Sequence, residues 1–92
     1  MYLEIVTPEA VVFGAEVKAV KVPGVMGEFQ MLDHHAPIVS LLAKGDVKID
    51  LSGAQPAKLS KDFRKEGNDV LFYAIKGGVL EMKDNKAIVL AD

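Results

Sequence analysis

The chain has no cysteine among its 92 residues. That excludes disulfides, thiolate metal sites and a cysteine nucleophile. It has no basic excess: the net charge is −2 and the pI about 5.6, whereas a nucleic-acid surface is expected to be basic. No apolar run approaches the ~20 residues of a membrane helix, and the longest, Ala36 to Ala43, is interrupted by Pro37 and Ser40. The N-terminus lacks the basic start and apolar stretch of a secretory signal. With the missing cysteines, this fits a reducing, cytoplasmic compartment. Helix signals are scarce as well.

What is present is the ordinary mixture of a soluble domain, with 50% hydrophobic and 26% charged residues. The length predicts one domain, able to build one core but no deep two-lobed cleft. The dominant period is two. Asp46-Val47-Lys48-Ile49-Asp50-Leu51 alternates polar and apolar residues as a half-buried strand does. Leu3 and Ile5 share one face around Glu4, Val20 and Val22 flank Lys21, and Phe29 and Met31 oppose Glu28 and Gln30. Leu80 with Met82, and Ile88 with Leu90, continue the pattern.

Turn chemistry separates these runs. Pro8-Glu9 ends the first strand, Pro23-Gly24 and Gly27 bracket a short loop, and Lys44-Gly45-Asp46 reads as a tight reversal. Asp84-Asn85 reads as a hairpin turn, because both residues tolerate positive φ. Gly77-Gly78, with no polar spacer, suggests a bulge or a close backbone approach. The expected fold is therefore all-β: a two-sheet antiparallel β-sandwich of about 8–10 short strands, with an exposed excursion over 52–68. Within that excursion, Ala57 to Glu66 reads either as a turn or two of exposed helix or as an extension of the flanking strands. Val70-Leu71-Phe72-Tyr73-Ala74-Ile75 is apolar on both faces. Its second face is expected either to be covered by the excursion or to meet a partner protein.

Catalytic constellations are not apparent. His34 and His35 are adjacent, so on a strand they point to opposite faces and cannot share a metal; no third ligand is patterned nearby. Gly24-Val25-Met26-Gly27 lacks the Lys-Ser/Thr ending and the following helix of a phosphate loop. Ser40, Ser52 and Ser60 stand in no Gly-x-Ser-x-Gly frame. The segment Pro23 to Pro37 remains. It reads equally as a hairpin followed by a corner and as a recognition edge where loops cluster. The residues alone describe a small soluble β domain with a binding or structural role.

Four stretches in order carry a resemblance. They are Leu3-Glu4-Ile5-Val6-Thr7-Pro8-Glu9 with Val12-Phe13-Gly14; Val20-Lys21-Val22-Pro23-Gly24-Val25-Met26-Gly27-Glu28-Phe29; His35-Ala36-Pro37-Ile38-Val39-Ser40-Leu41-Leu42-Ala43-Lys44-Gly45; and Gly77-Gly78-Val79-Leu80-Glu81-Met82-Lys83-Asp84-Asn85 followed by Ala87-Ile88-Val89-Leu90-Ala91-Asp92. Together they resemble the N-terminal β-sandwich domain of the ε subunit of the bacterial and chloroplast F-type ATP synthase. Lys44 departs from the proline usual in the family, and 52–68 is longer and more basic than the usual hairpin.

The resemblance implies a non-catalytic central-stalk subunit that links the γ subunit to the membrane c-ring and supports coupling of proton transport to ATP synthesis. It implies a peripheral location on the cytoplasmic face of the bacterial inner membrane, with no membrane span, no nucleic acid and no cofactor. The γ contact is expected at Thr7, His35, Val39 and Ser40, and the c-ring contact at Gly27 and Glu28. Residues 1–92 are expected to form one ε-type domain without the family's C-terminal helical hairpin, and so without helix-mediated inhibition or ATP binding. The alternatives are a stand-alone β-sandwich protein-binding module and, from a third class, a small hydrolase.

Overall fold

The computed structural model describes residues 1–92, and every regular element in it is a strand. In chain order these are β1 Tyr2–Val6, β2 Val11–Glu16, β3 Ala19–Gly24, β4 Gly27–Leu32, β5 Ile38–Leu42, β6 Gly45–Asp50, β7 Lys58–Leu59, β8 Arg64–Glu66, β9 Val70–Ile75, β10 Gly78–Lys83 and β11 Lys86–Ala91. The all-β class and the sandwich are as expected. Eleven strands stand where about 8–10 were expected, because the excursion contributes the two minimal strands β7 and β8.

The hydrogen-bonded path runs β7-β2-β1-β11-β10-β5-β3-β6-β9-β8, with β4 paired to β3. The path curls so that its two halves face one another. The first leaf is β7-β2-β1-β11-β10-β5, and the second is β4-β3-β6-β9-β8. One pair departs from the antiparallel expectation: β1 runs parallel to β11, from Tyr2 opposite Lys86 to Val6 opposite Leu90. Alternation within a strand fixes which side chains are buried but not the direction of the neighbouring strand.

The leaves are joined by a bent hairpin. The register that pairs Leu42 with Gly78 on β5 and β10 continues unshifted into Gly45 opposite Ile75 on β6 and β9. Both β5 and β6 also run antiparallel to β3. Lys44-Gly45-Asp46 is therefore no reversal. The chain keeps its direction through Ala43–Lys44 and passes from the first leaf to the second. The bend lies opposite Lys76–Gly77, where Gly77 and Gly78 adopt φ of 151° and 156°. At Gly78 an added Cβ would collide with the Leu90 carbonyl oxygen. A side chain there would force the strands apart, so the glycine pair is the close approach its sequence suggested.

The core fills the space between the leaves. Leu3, Ile5, Phe13, Leu80, Met82 and Val89 from the first leaf meet Val20, Val22, Met31, Val47 and Ile49 from the second, and all are fully buried. Each such side chain contributes about 1.5–3 kcal/mol relative to exposure. No polar or charged side chain is buried, so the core itself holds no charged side chain that has to be offset.

Excursion 52–68 extends both leaves and forms no helix. Leu59 pairs with Phe13, and Arg64 pairs with Phe72. Phe63 closes the side of the sandwich between them. Its ring stacks on Tyr73 at 4.7 Å and lies 5.5 Å from Phe13. Outside, the Arg64 guanidinium lies 5.4 Å and the Lys48 ammonium 5.9 Å from the Phe72 ring centroid. On the second apolar face of β9, Phe72 is thus partly covered from within the chain, by Arg64 of the excursion and by Lys48, while Ala74 stays exposed.

Candidate docking face

The outer face of the first leaf carries an apolar row that crosses five strands. Cross-strand neighbours run Leu41–Val79, Val79–Leu90, Leu90–Val6 and Val6–Val11. These residues point outward because their strand neighbours Leu42, Leu80, Val89, Ile5 and Val12 fill the core. Leu41 is 61% exposed and Leu90 50%. In the next row, Val39 at 70% exposure stands opposite Glu81, followed by Ile88, Glu4 and Gly14. Scattered exposed apolar residues are normal on a soluble protein; a continuous row rimmed by carboxylates is a candidate contact surface. The face is stiff, because every member sits on a laddered strand.

The hairpin tip between β3 and β4 extends the patch. Val25 donates its backbone N–H to the Leu41 carbonyl at 3.0 Å, placing the tip beside the end of the row. Val25 is 54% exposed, and Met26 at 96% is the most exposed large hydrophobic side chain of the molecule.

The second leaf presents a different outer face. Lys21, Lys48, Phe72 and Arg64 line one cross-strand row. Glu28 lies 3.4 Å from the Lys21 ammonium and Asp46 2.6 Å from Arg64. Its charges are largely paired at home, and it offers no apolar stripe.

Of the residues singled out in the sequence, Val39 lies on the apolar face. Thr7 lies just beyond Val6, where its hydroxyl accepts the Ala10 N–H at 3.3 Å and shapes the turn into β2. Ser40 alternates inward from Val39, is half-buried, and places its hydroxyl 3.4 Å from the Leu41 carbonyl. His35 is half-buried in the crossing from β4 to β5, with Nδ1 2.8 Å from the Ala36 carbonyl oxygen. Gly27 (φ 124°) and the exposed Glu28 open β4, on the second leaf. The expected γ set is thus divided between a sheet face and a side loop. Sequence reasoning did not single out Leu41, Val79, Val6, Val11 or Met26, and it took Ile88 and Leu90 as the inner face of the last strand. The structure buries Ala87, Val89 and Ala91 and turns Leu90 outward; β11 is apolar on both faces, so its alternation does not decide which face is wet. A usable signal existed for Val6 and Val79, which are apolar where alternation calls for a polar residue.

No group of three or more His, Cys, Asp or Glu side chains is placed to hold a metal ion. The His34 backbone N–H donates to Asn85 Oδ1 at 2.7 Å. The Met1 ammonium pairs with Asp33 and lies 3.3 Å from Glu16. Burial works against this charge, but the two carboxylates outweigh it and raise its pKa above the ordinary 8.0. The hydrogen bond from that ammonium holds the Asp33 carboxyl below its ordinary 3.8. No helix is long and apolar enough to cross a membrane.

The family described as the β-sandwich domain of the ATP synthase delta/epsilon chain matches residues 1–92. The chain is 36% identical over 90 residues to the ATP synthase epsilon chain of Desulforamulus reducens, covering 98% of this chain and 57% of that one. It is 37% identical to the epsilon chain of Chlorobaculum tepidum, covering 98% and 86%. It is 39% identical to that of Campylobacter fetus, covering 100% and 60%. The chain spans little more than half the length of most of these relatives. The fold is similar to that of a chain in the central stalk and c-ring of the Tetrahymena thermophila mitochondrial ATP synthase. The TM-score there is 0.65 at 13% identity, covering 99% of this chain and 62% of that one.

Proposed function

Because this chain belongs to the delta/epsilon β-sandwich family of ATP synthase, we propose that it is a non-catalytic subunit of the central stalk. It packs on the γ subunit and links γ to the c-ring, on the cytoplasmic face of the membrane. The apolar row from Leu41 to Val11 carries this reading. Its exposed apolar side chains gain by leaving water, and it lies on a sheet braced by a close-packed core. A rotor part must transmit torque without absorbing it as internal strain. A two-leaf sandwich whose leaves share one bent hairpin does that.

In this arrangement γ covers the apolar row, with Val39 at one end and Thr7 at the other. The hairpin with Met26, Gly27 and Glu28 reaches toward the ring. Glu28 already has Lys21 as a partner, so an ion pair with a ring side chain is worth only ~0–1 kcal/mol and sets register more than affinity. The test is a binding measurement with γ. Leu41→Asp combined with Leu90→Asp places charges in the middle of the proposed contact. Both side chains are at least half exposed in the free chain, so the variant is expected to fold. Loss of γ binding by tenfold or more supports the assignment, and undiminished affinity in a folded variant removes it.

A further inference from the structure

The two leaves end in strands that differ in how well they are protected. β7, at one end, is two residues long. β8, at the other, is three residues, Arg64-Lys65-Glu66, all charged and exposed. β5 begins just after Pro37, and its far end is held by β3 through Gly24 opposite Leu42 and by the Val25 N–H. Short, charged, proline-flanked or covered edges are the usual means of preventing strand addition. β4 has little of this: its one charge is Glu28, already paired with Lys21. It runs six residues, Gly27-Glu28-Phe29-Gln30-Met31-Leu32, pairs with β3 alone, and contains no lysine and no proline.

The parity of the ladder shows which groups are open. Pro23 turns its carbonyl to Ala43 on the β5–β6 side, so Val20, Val22 and Gly24 face β4. Their partners Met31, Phe29 and Gly27 are then the β4 residues bonded to β3. The backbone groups of Glu28, Gln30 and Leu32 point the other way. Of these, only the Leu32 carbonyl has an internal partner, the His35 N–H at 3.2 Å.

We propose that this edge pairs with β4 of a second copy of the chain, antiparallel about a two-fold axis at Gln30. In that register Gln30 faces Gln30 of the other copy, and each side-chain amide both donates and accepts. Glu28 faces Leu32 of the other copy, so no like charges stand opposed, and the Glu28 carboxylate keeps Lys21. Leu32, 52% exposed in the single chain, is covered. The second leaf becomes one sheet of twice the number of strands. Five paired residues bury well under the ~1,200–2,000 Å² of a stable interface. The dimer therefore forms at high concentration, in a pool of free subunit, and yields to tighter partners. The edge lies apart from the apolar row, so this pairing stands or falls separately from γ binding.

Sedimentation velocity on the chain from low micromolar to millimolar concentration tests it, together with residue-resolved amide exchange. The mass is expected to rise from one chain toward two. The Glu28 and Gln30 amides should slow with concentration while those of Phe29 and Met31 stay as they are. Gln30→Pro removes an N–H that points away from β3, leaving the internal ladder intact, and is expected to abolish the rise. Gln30→Lys sets like charges opposite one another and is expected to weaken it at low salt. A mass of one chain through the millimolar range overturns the proposal, as does unchanged dimerisation by both folded variants. Protection of the edge amides only when another stalk protein is added, with no self-association, also overturns it and assigns the edge to a partner's strand.

Discussion

Gly78 shows how much of the architecture rests on one missing Cβ. Its φ of 156° and its closeness to the Leu90 carbonyl leave no room for a side chain. Gly78→Ala is expected to destabilise the chain by about 1–3 kcal/mol or more through backbone strain alone, read as a lower urea midpoint; an unchanged midpoint would contradict the corner described above. The Met1 ammonium offers a second test at this scale. Its folded pKa lies above the ordinary 8.0, so its pairing with Asp33 and Glu16 contributes fully below that value and is lost as pH rises through the folded pKa. Asp33 is shifted the opposite way, so its share is present above 3.8 and is lost as pH falls through its lowered folded value. Urea midpoints are therefore expected to fall on the alkaline side of 8.0 in the free-amine chain, and to fall less in Asp33→Asn. A midpoint insensitive to alkaline pH in both would show the pairing to be without weight.

Among the elements, the long alternating strands were legible in the sequence, since period two is imposed by one wet and one dry face. The minimal strands β7 and β8 were not. Two or three mostly charged residues carry no period, and only pairing with Phe13 and Phe72 makes them strands. Lys44-Gly45 was misread for a related reason. A glycine beside a polar pair signals a reversal or a bend equally well, and only the opposing Gly77 decides which. The excursion is best tested at Phe63, whose ring joins Tyr73 of the second leaf to Phe13 of the first. Phe63→Ala is expected to cost about 1–3 kcal/mol from two lost aromatic pairs and to speed amide exchange in β7 and β8 ahead of β6. Uniform exchange across the three strands would mean that the excursion does not fold as a plug.

The whole molecule has two unlike outer faces, and this asymmetry underlies its proposed role. Single strands hinted at outward apolar residues, but not that these residues form one row. Val6, Leu90, Val79 and Leu41 are far apart in the chain, and the parallel pairing of β1 with β11 brings the first two together. The sequence drew attention to Val70–Ile75 as the two-faced strand, yet Arg64 and Lys48 flank its outer Phe72. The open face lies on the other leaf. Methyl-resolved NMR on the chain, with and without the γ subunit, tests this most directly. The methyls of Val6, Val11, Leu41, Val79 and Leu90 are expected to shift and broaden on adding γ, while Val70 and Ala74 on the opposite leaf stay in place. Perturbation of Val70 and Ala74 with the apolar row unmoved would contradict the account.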